Sequence, residues 1–345
     1  FLLSGFGIIY ITHNIKYNYF SRISQVLLFA SIPLLALTLI VGTNINDASR
    51  WLTIPVINQS FQTSDFAKLA LVMYVARMLS VKQDEIKDFK KAFLPIFIPV
   101  VIVCGLIFPA NFSTAAVLFA ACLVLMFIGR IPISQLISLA SIGIVFIVIS
   151  IGVVKFAPAL FPRAETWVNR IENFSKGDQE GNYQVEQAKI AIATGGIQGK
   201  GPGNSTQRNF LPHPYSDFIY AIVIEEYGLI GGFLVMFLYL MLFFRAIRNV
   251  LKSPKTFGSL LVVGISFILV FQALINMAVA VNLLPVTGQP LPFMSMGGTS
   301  IWFTSVAIGV ILSVSREVDQ NQAHEIPEKE NNELNNQEEN ELAVA

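Results

Sequence analysis

Five glycines fall close together, Gly195, Gly196, Gly199, Gly201 and Gly203, with Lys200 among them and Arg208 soon after. Glycine lets backbone N–H groups approach an anion closely, and such concavities bind phosphates. The same composition also makes an ordinary flexible loop with two incidental cations, and both readings stand at this point. Gly199-Lys200-Gly201 is no P-loop, because no Ser or Thr follows the Lys and no strand precedes it. Asp217 comes where this loop meets an apolar helix. Ser216 or Asp217 could simply cap the helix N-terminus. A partly desolvated carboxylate there could also act as a general base toward a hydroxyl, and the two roles are compatible. Glu225 and Glu226 begin two turns further on.

Other chemistries find no support. His13, His213 and His324 are far apart, and no Cys-x-x-Cys or His-x-x-x-His spacing occurs. No nucleophile elbow is present. Cys104 and Cys122 sit in apolar runs and read as small buried hydrophobes. There is no basic stripe for nucleic acid.

The elements that must position these residues are membrane helices. Apolar residues make up 54% of the chain and charged residues 13%, against about 25% charged in a soluble domain. No charge occurs between Arg22 and Asp47, from Ala92 to Gly129, or from Ile131 to Val154. A hydrocarbon core of about 30 Å needs roughly 20 apolar helical residues. The expected spans are 24–42, 64–81, 92–108, 113–129, 133–154, 218–244, 258–284 and 297–315. The run Phe1–Thr12 is too short to span, so at least one upstream helix is expected to be missing. With that remnant there are about nine membrane elements, in one domain over 1–318.

Lys68, Arg77, Glu225 and Glu226 lie at membrane depth, where ionisable groups are costly and functional by default. Lys68 follows Asp65 at i+3 and can pair with it. Arg77 is expected to reach the headgroups. Gln272 and Asn276, one turn apart, are expected to knit helices together. Pro285, Pro290 and Pro292 with Gly288, Gly297 and Gly298 mark an irregular connection, tolerated at that depth only inside protein or along a cavity.

Alternate short connections carry twelve Lys and Arg against one, Arg50, once the long loop is set aside. The positive-inside rule therefore puts Lys82–Lys91 and the C-terminus in the cytoplasm. It puts the large loop, 155–217, outside. The tail 319–345, rich in Glu, Asn and Gln, reads as disordered, acidic and cytoplasmic.

Four stretches carry a family resemblance: Asp47-Ala48-Ser49-Arg50-Trp51-Leu52; Ser64-Asp65-Phe66-Ala67-Lys68; Gly195-Gly196-Ile197-Gln198-Gly199-Lys200-Gly201 through Asp217-Phe218 to Glu225-Glu226-Tyr227-Gly228; and Pro285-Val286-Thr287-Gly288-Gln289-Pro290-Leu291-Pro292 through Gly298. The chain resembles the SEDS family (shape, elongation, division and sporulation), most closely its division branch, the FtsW type, over about Phe1–Val318. The resemblance implies an all-α polytopic bundle of about ten helices, the first one to two missing or truncated here.

It also implies peptidoglycan glycosyltransferase activity at the outer face of the inner (cytoplasmic) membrane. The substrate would be lipid II, an undecaprenyl-pyrophosphate disaccharide-pentapeptide. The partners would be a class B penicillin-binding protein and the divisome. Asp217 matches the family's essential acidic residue, Asp65 and Lys68 a membrane ion pair, and Arg50 the Arg before the family Trp. The family's carboxylates are absent from Pro109-Ala110-Asn111-Phe112-Ser113-Thr114, and His213 follows Pro212 where Glu is common.

The expected mechanism is inverting glycosyl transfer. Asp217 takes a proton from a sugar hydroxyl, and Lys200, Arg208, Arg50 or Lys68 binds the departing pyrophosphate. Asp65, Glu225 and Glu226 are supporting residues. A divalent cation (Mg or Mn) could assist, though no ligand cluster demands one. The alternatives are a lipid II flippase or transporter, a structural scaffold, and an elongation-type member of the family.

Overall fold

The computed structural model describes residues 1–45, 48–54, 59–156, 170, 172, 174, 183–212, 214–252 and 256–320. His213, His324, the tail from 321 and most of the large loop before 183 lie outside the described residues.

The helices are α1 (Leu2–Asn14), α2 (Asn18–Val41), α3 (Thr63–Val81), α4 (Leu94–Ile107), α5 (Phe112–Ile128), α6 (Ile133–Phe156), α7 (Tyr183–Gly195), α8 (Ile219–Lys252), α9 (Thr256–Ala280) and α10 (Ser300–Gln320). Six of the described helical spans are long and apolar enough to cross a membrane. The apolar α5 is only slightly shorter, at 17 residues. Nineteen-residue α3 carries Asp65, Lys68 and Arg77, which dilute its hydropathy. The nine expected membrane elements correspond to α1–α6 and α8–α10.

α9 is the most enclosed span, and α6 and α8 are the most peripheral. Small residues let neighbours close on α9. A Cβ at Gly264 would stand 2.6 Å from Leu125 Cδ1 and 2.8 Å from Val72 Cγ1, so α5 and α3 fill that space. One buried cluster joins α2–α6, α9 and α10 through residues such as Leu28, Leu71, Ile96, Leu118 and Leu261. A second joins α7, α8 and α9 around Ala188, Ala191, Phe218, Ile224, Ala273 and Met277. α7 contributes Val185, Ala188, Ala191 and Gly195, a narrow stripe of mostly small residues at three- and four-residue spacing that suits close helix packing.

Two helices close on a left-handed residue, and for α9 this ends the helix short of the expected span. The span expected to reach Leu284 stops at Ala280. Asn282 adopts φ 59°, and Leu283 N–H donates to Ala278 C=O at 2.8 Å. This is a Schellman closure with Asn at the left-handed position. Arg130 does the same after α5, with φ 68° and Ile131 N–H on Met126 C=O at 3.0 Å. α8 runs on to Lys252, beyond the expected Phe244.

The connection between α2 and α3 holds a sheet that the sequence reading did not anticipate. Strands β1 (Thr43–Ile45), β2 (Ala48–Ile54) and β3 (Gln59–Gln62) pair antiparallel in that order. Trp51 stands opposite Thr43 and Gln62. Thr299 Oγ1 donates to Ser60 C=O at 3.0 Å, and the Phe61 and Phe303 rings lie 6.4 Å apart. The sheet is thereby tied to the start of α10.

Candidate active site

The glycine cluster is a brace between the loop after α7 and a break in α8. At Gly228 the backbone turns to φ 70°, ψ −174°, a region open essentially only to glycine. The break frees helix carbonyls and N–H groups that the loop then satisfies. Lys200 N–H donates to Glu225 C=O at 2.9 Å, and Gly201 N–H to Glu226 C=O at 2.9 Å. In return Leu229 N–H donates to Gly196 C=O at 2.9 Å. The backbones are so close that side chains have no room. A Cβ would stand 2.2 Å from Ile224 O at Gly195, 2.3 Å from Glu226 O at Gly199, and 2.1 Å from Ile197 O at Gly228. The N–H groups of Gly199, Lys200 and Gly201 all point at protein carbonyls. These three donors are thus spent within the protein and are not offered to a phosphate.

Glu225 anchors the same loop. It is fully buried and accepts from Lys200 Nζ at 2.6 Å, Ser205 Oγ at 2.5 Å, Thr206 Oγ1 at 2.8 Å, Thr206 N–H at 3.1 Å and Gln207 N–H at 3.2 Å. Lys200 thus lies on a buried carboxylate, its charge met. Arg208 is exposed, and Glu226 is half-buried. Arg50 lies on β2, while its side chain lies outside the description. Lys68 Nζ pairs with Asp65 Oδ1 at 2.8 Å, as the i+3 spacing implied. Arg77 donates to Ser21 C=O at 3.0 Å, so it is tied to the start of α2.

Asp217 sits in the turn before α8, half-buried. Its Oδ1 accepts from Ser216 Oγ at 2.9 Å. Among the described residues no helix N–H bonds its carboxylate, so it is not spent as a cap. Its Oδ2 faces the connection between α9 and α10, where a Cβ on Gly288 would stand 3.5 Å away.

That connection is gripped from several sides. Asn276 Nδ2 donates to both Asp217 C=O and Gln289 C=O, each at 2.8 Å. One turn earlier, Gln272 Nε2 donates to Pro290 C=O at 2.9 Å, and its Oε1 accepts from Lys68 Nζ at 3.2 Å. Gln289 Nε2 donates to Thr114 Oγ1 at 2.6 Å. Ser295 Oγ donates to Ser216 C=O at 2.6 Å, and Met296 N–H to Tyr215 C=O at 2.7 Å. Tyr239 OH donates to Pro292 C=O. Phe293 is held at φ 63°, a costly conformation for a bulky residue and one that gathers at functional sites.

A polar chain therefore runs Asp65–Lys68–Gln272–Pro290 and, one turn away on α9, Asn276 to the backbone of Asp217. A cavity of about 30 Å³ lies beside it, lined by Asp65, Lys68, Gln272, Ser300 and Thr304 among others. Asp65 Oδ2 is buried without a partner there, and the space is large enough for a water molecule. Sequence reasoning expected Gln272 and Asn276 to tie helices together. Gln272 does tie α9 to α3 through Lys68, and both residues also tie α9 to the irregular connection.

One functional candidate was missed. Arg170, in the large loop, donates from Nη1 to Val286 C=O at 3.1 Å. Burial pushes its guanidinium below the usual value, and the Asp217 carboxylate acts in the opposite direction. Nothing in its sequence neighbourhood singles it out. Among the described residues no group of three or more His, Cys, Asp or Glu is placed to hold a metal ion.

A family model described as "Cell cycle protein", covering FtsW, RodA and SpoVE, matches residues 1–320. Stage V sporulation protein E of Bacillus subtilis is 36% identical over 329 residues, covering 91% of this chain and 85% of that protein. A probable peptidoglycan glycosyltransferase FtsW of Trichlorobacter lovleyi is 34% identical over 313 residues, covering 88% and 79%. A chain from a structure described as coordinating polymerization and crosslinking in a peptidoglycan synthase complex superposes with a TM-score of 0.70 at 25% identity, covering 92% and 88%.

Proposed function

From the premise that this chain belongs to the FtsW, RodA and SpoVE family, we propose that it is a peptidoglycan glycosyltransferase with Asp217 as its base. The observation that carries this reading is the Asp217 carboxylate itself. It stands where a loop enters the apolar helices, bonded by no helix N–H among the described residues, with its backbone fixed by Asn276. Two lipid-linked substrates meet there. Asp217 takes the proton of an acceptor sugar hydroxyl as that oxygen bonds to the donor's anomeric carbon. The bond from that carbon to the pyrophosphate breaks with inversion, and the lipid pyrophosphate leaves as an anion that needs no general acid. The donor and acceptor are lipid II or its polymer. A divalent cation carried by the pyrophosphate is compatible with this route, but no step depends on it.

The large loop and Asp217 face outward, and the basic connections and the C-terminus face the cytoplasm, in keeping with twelve basic residues against one. The relatives named FtsW support a division role, with an elongation-type role as the alternative. The peptidoglycan synthase complex supports a class B penicillin-binding protein as partner, and the division reading adds the divisome.

The test is polymerisation of labelled lipid II in detergent by the full-length protein with its penicillin-binding partner. Wild type should form glycan polymer, and Asp217→Asn should lose at least about 100-fold in rate. With no membrane to cross, a flippase would make no polymer. Absence of polymer from the wild type, or normal polymer from Asp217→Asn, rejects the proposal.

A further inference from the structure

The proposed reaction releases a pyrophosphate, and the geometry points to Arg170 as the residue that binds it. Four cations were candidates from sequence. Lys68 and Lys200 each lie on a buried carboxylate, at 2.8 and 2.6 Å. Each contact uses the cation's charge, and releasing Lys200 would leave Glu225 buried and unpaired, which is costly. Arg208 is exposed, where a contact with an anion is weakened by solvent and salt. Arg50 has no described side chain.

Arg170 differs in each respect. Among the described residues its hydrogen-bond partner is the neutral Val286 carbonyl, which engages Nη1 and brings no charge of its own. Val286 is two residues from Gly288, and Gly288 borders Asp217 Oδ2. The guanidinium and the carboxylate feel each other's charge, yet among the described residues they form no ion pair. The Val286–Gly288 segment thus carries the guanidinium at one end and the carboxylate at the other. A sugar hydroxyl on the Asp217 side and a departing pyrophosphate on the Arg170 side would meet along it. Guanidinium has five N–H donors in a planar fork that matches phosphate oxygens, so one bond to Val286 leaves others for the ligand. Negative charge grows on the leaving oxygen as the glycosidic carbon–oxygen bond breaks, and a cation there stabilises that stage above the ground state. The Val286 bond also explains how a residue in a long loop is held beside the connection between α9 and α10.

This inference rests on the glycosyltransferase reading, so its test has one readout that needs no turnover. Full-length wild type, Arg170→Ala, Arg170→Lys and Asp217→Asn are prepared with the penicillin-binding partner. Binding of inorganic pyrophosphate is measured by calorimetry in detergent, with sulfate at equal ionic strength as control. Wild type and Asp217→Asn should bind pyrophosphate in preference to sulfate, and Arg170→Ala should bind at least about tenfold more weakly. In the polymerisation assay Arg170→Ala should lose about 100-fold or more in kcat. Arg170→Lys should recover part of it, and added guanidinium should partly rescue Arg170→Ala but not Asp217→Asn. Equal pyrophosphate binding by wild type and Arg170→Ala overturns the inference. So does a loss of activity that neither Lys nor guanidinium repairs, since Arg170 would then only staple the loop. Arg170-dependent pyrophosphate binding by a wild type that makes no polymer sinks the glycosyltransferase reading and leaves the anion site standing.

Discussion

Glu225 is sealed from solvent and surrounded by donors from a single short segment, Lys200 to Gln207. A carboxylate so placed is stable only while its cation stays. Lys200→Met should therefore destabilise the protein by on the order of 2 kcal/mol, below the roughly 3–5 kcal/mol of a fully buried pair because Lys200 is partly exposed. The measurement is the apparent Tm in detergent. Lys200→Met with Glu225→Gln should recover part of the loss, since the remaining group is neutral. A single variant as stable as wild type would mean that the pair is not an anchor. Lys200 was expected beside a substrate pyrophosphate, and its position on Glu225 could not be read from spacing. Two charges 25 residues apart meet only because a helix breaks between the glutamates and the rest of α8. The Asp65–Lys68 pair was legible, because i+3 is a distance that a helix itself sets.

At the scale of elements, the break in α8 and the polar face of α9 position the site. Gly228→Ala should strain the backbone by about 1–3 kcal/mol. It should also push a methyl into the Ile197 carbonyl, releasing the loop. Yield of monodisperse protein and apparent Tm should both fall. Gly105→Ala in α4, where a Cβ meets nothing within 4 Å, should be neutral or slightly stabilising. If the two alanines behave alike, the close backbone contact is not what selects glycine. Asn276 holds the main chain of Asp217 and of Gln289 with one amide nitrogen. Asn276→Leu should lower kcat by about 10- to 100-fold, because small misplacements of a base are costly. KM should change much less. A raised KM with unchanged kcat would instead assign Asn276 to substrate binding.

For the whole molecule, the charge pattern and the packing agree on two different ends. The connection holding Lys82, Lys87, Lys90 and Lys91 gathers Glu85 and Lys91 into a surface pair at 2.9 Å. There the Lys91 hydrogen bond holds the Glu85 carboxyl below its usual range. The opposite end carries the sheet, the glycine loop and Asp217. The proposed orientation predicts that Asn204→Cys is labelled by a membrane-impermeant maleimide added to intact spheroplasts. Lys87→Cys should be labelled only after permeabilisation. Both positions are exposed, and Cys104 and Cys122 are buried, so background is low. Reversed labelling would invert the topology and move the proposed chemistry to the wrong side of the membrane.

The sequence by itself determined the apolar helical spans, the helix pair Asp65–Lys68 and the place of Asp217 just before a long apolar helix. Those follow from apolar run length, helical period and the position of single charges, all local properties. Only the tertiary structure decided what the glycines do, which carbonyl Arg170 reaches and what Gln272 and Asn276 hold. It also revealed the small sheet between α2 and α3. Each of those depends on groups distant in the chain meeting at one end of the bundle, where a broken helix, a loop and an irregular connection exchange backbone hydrogen bonds. Spacing along the chain carries no record of such exchanges, so Asp217 was visible as a carboxylate and its surroundings were not.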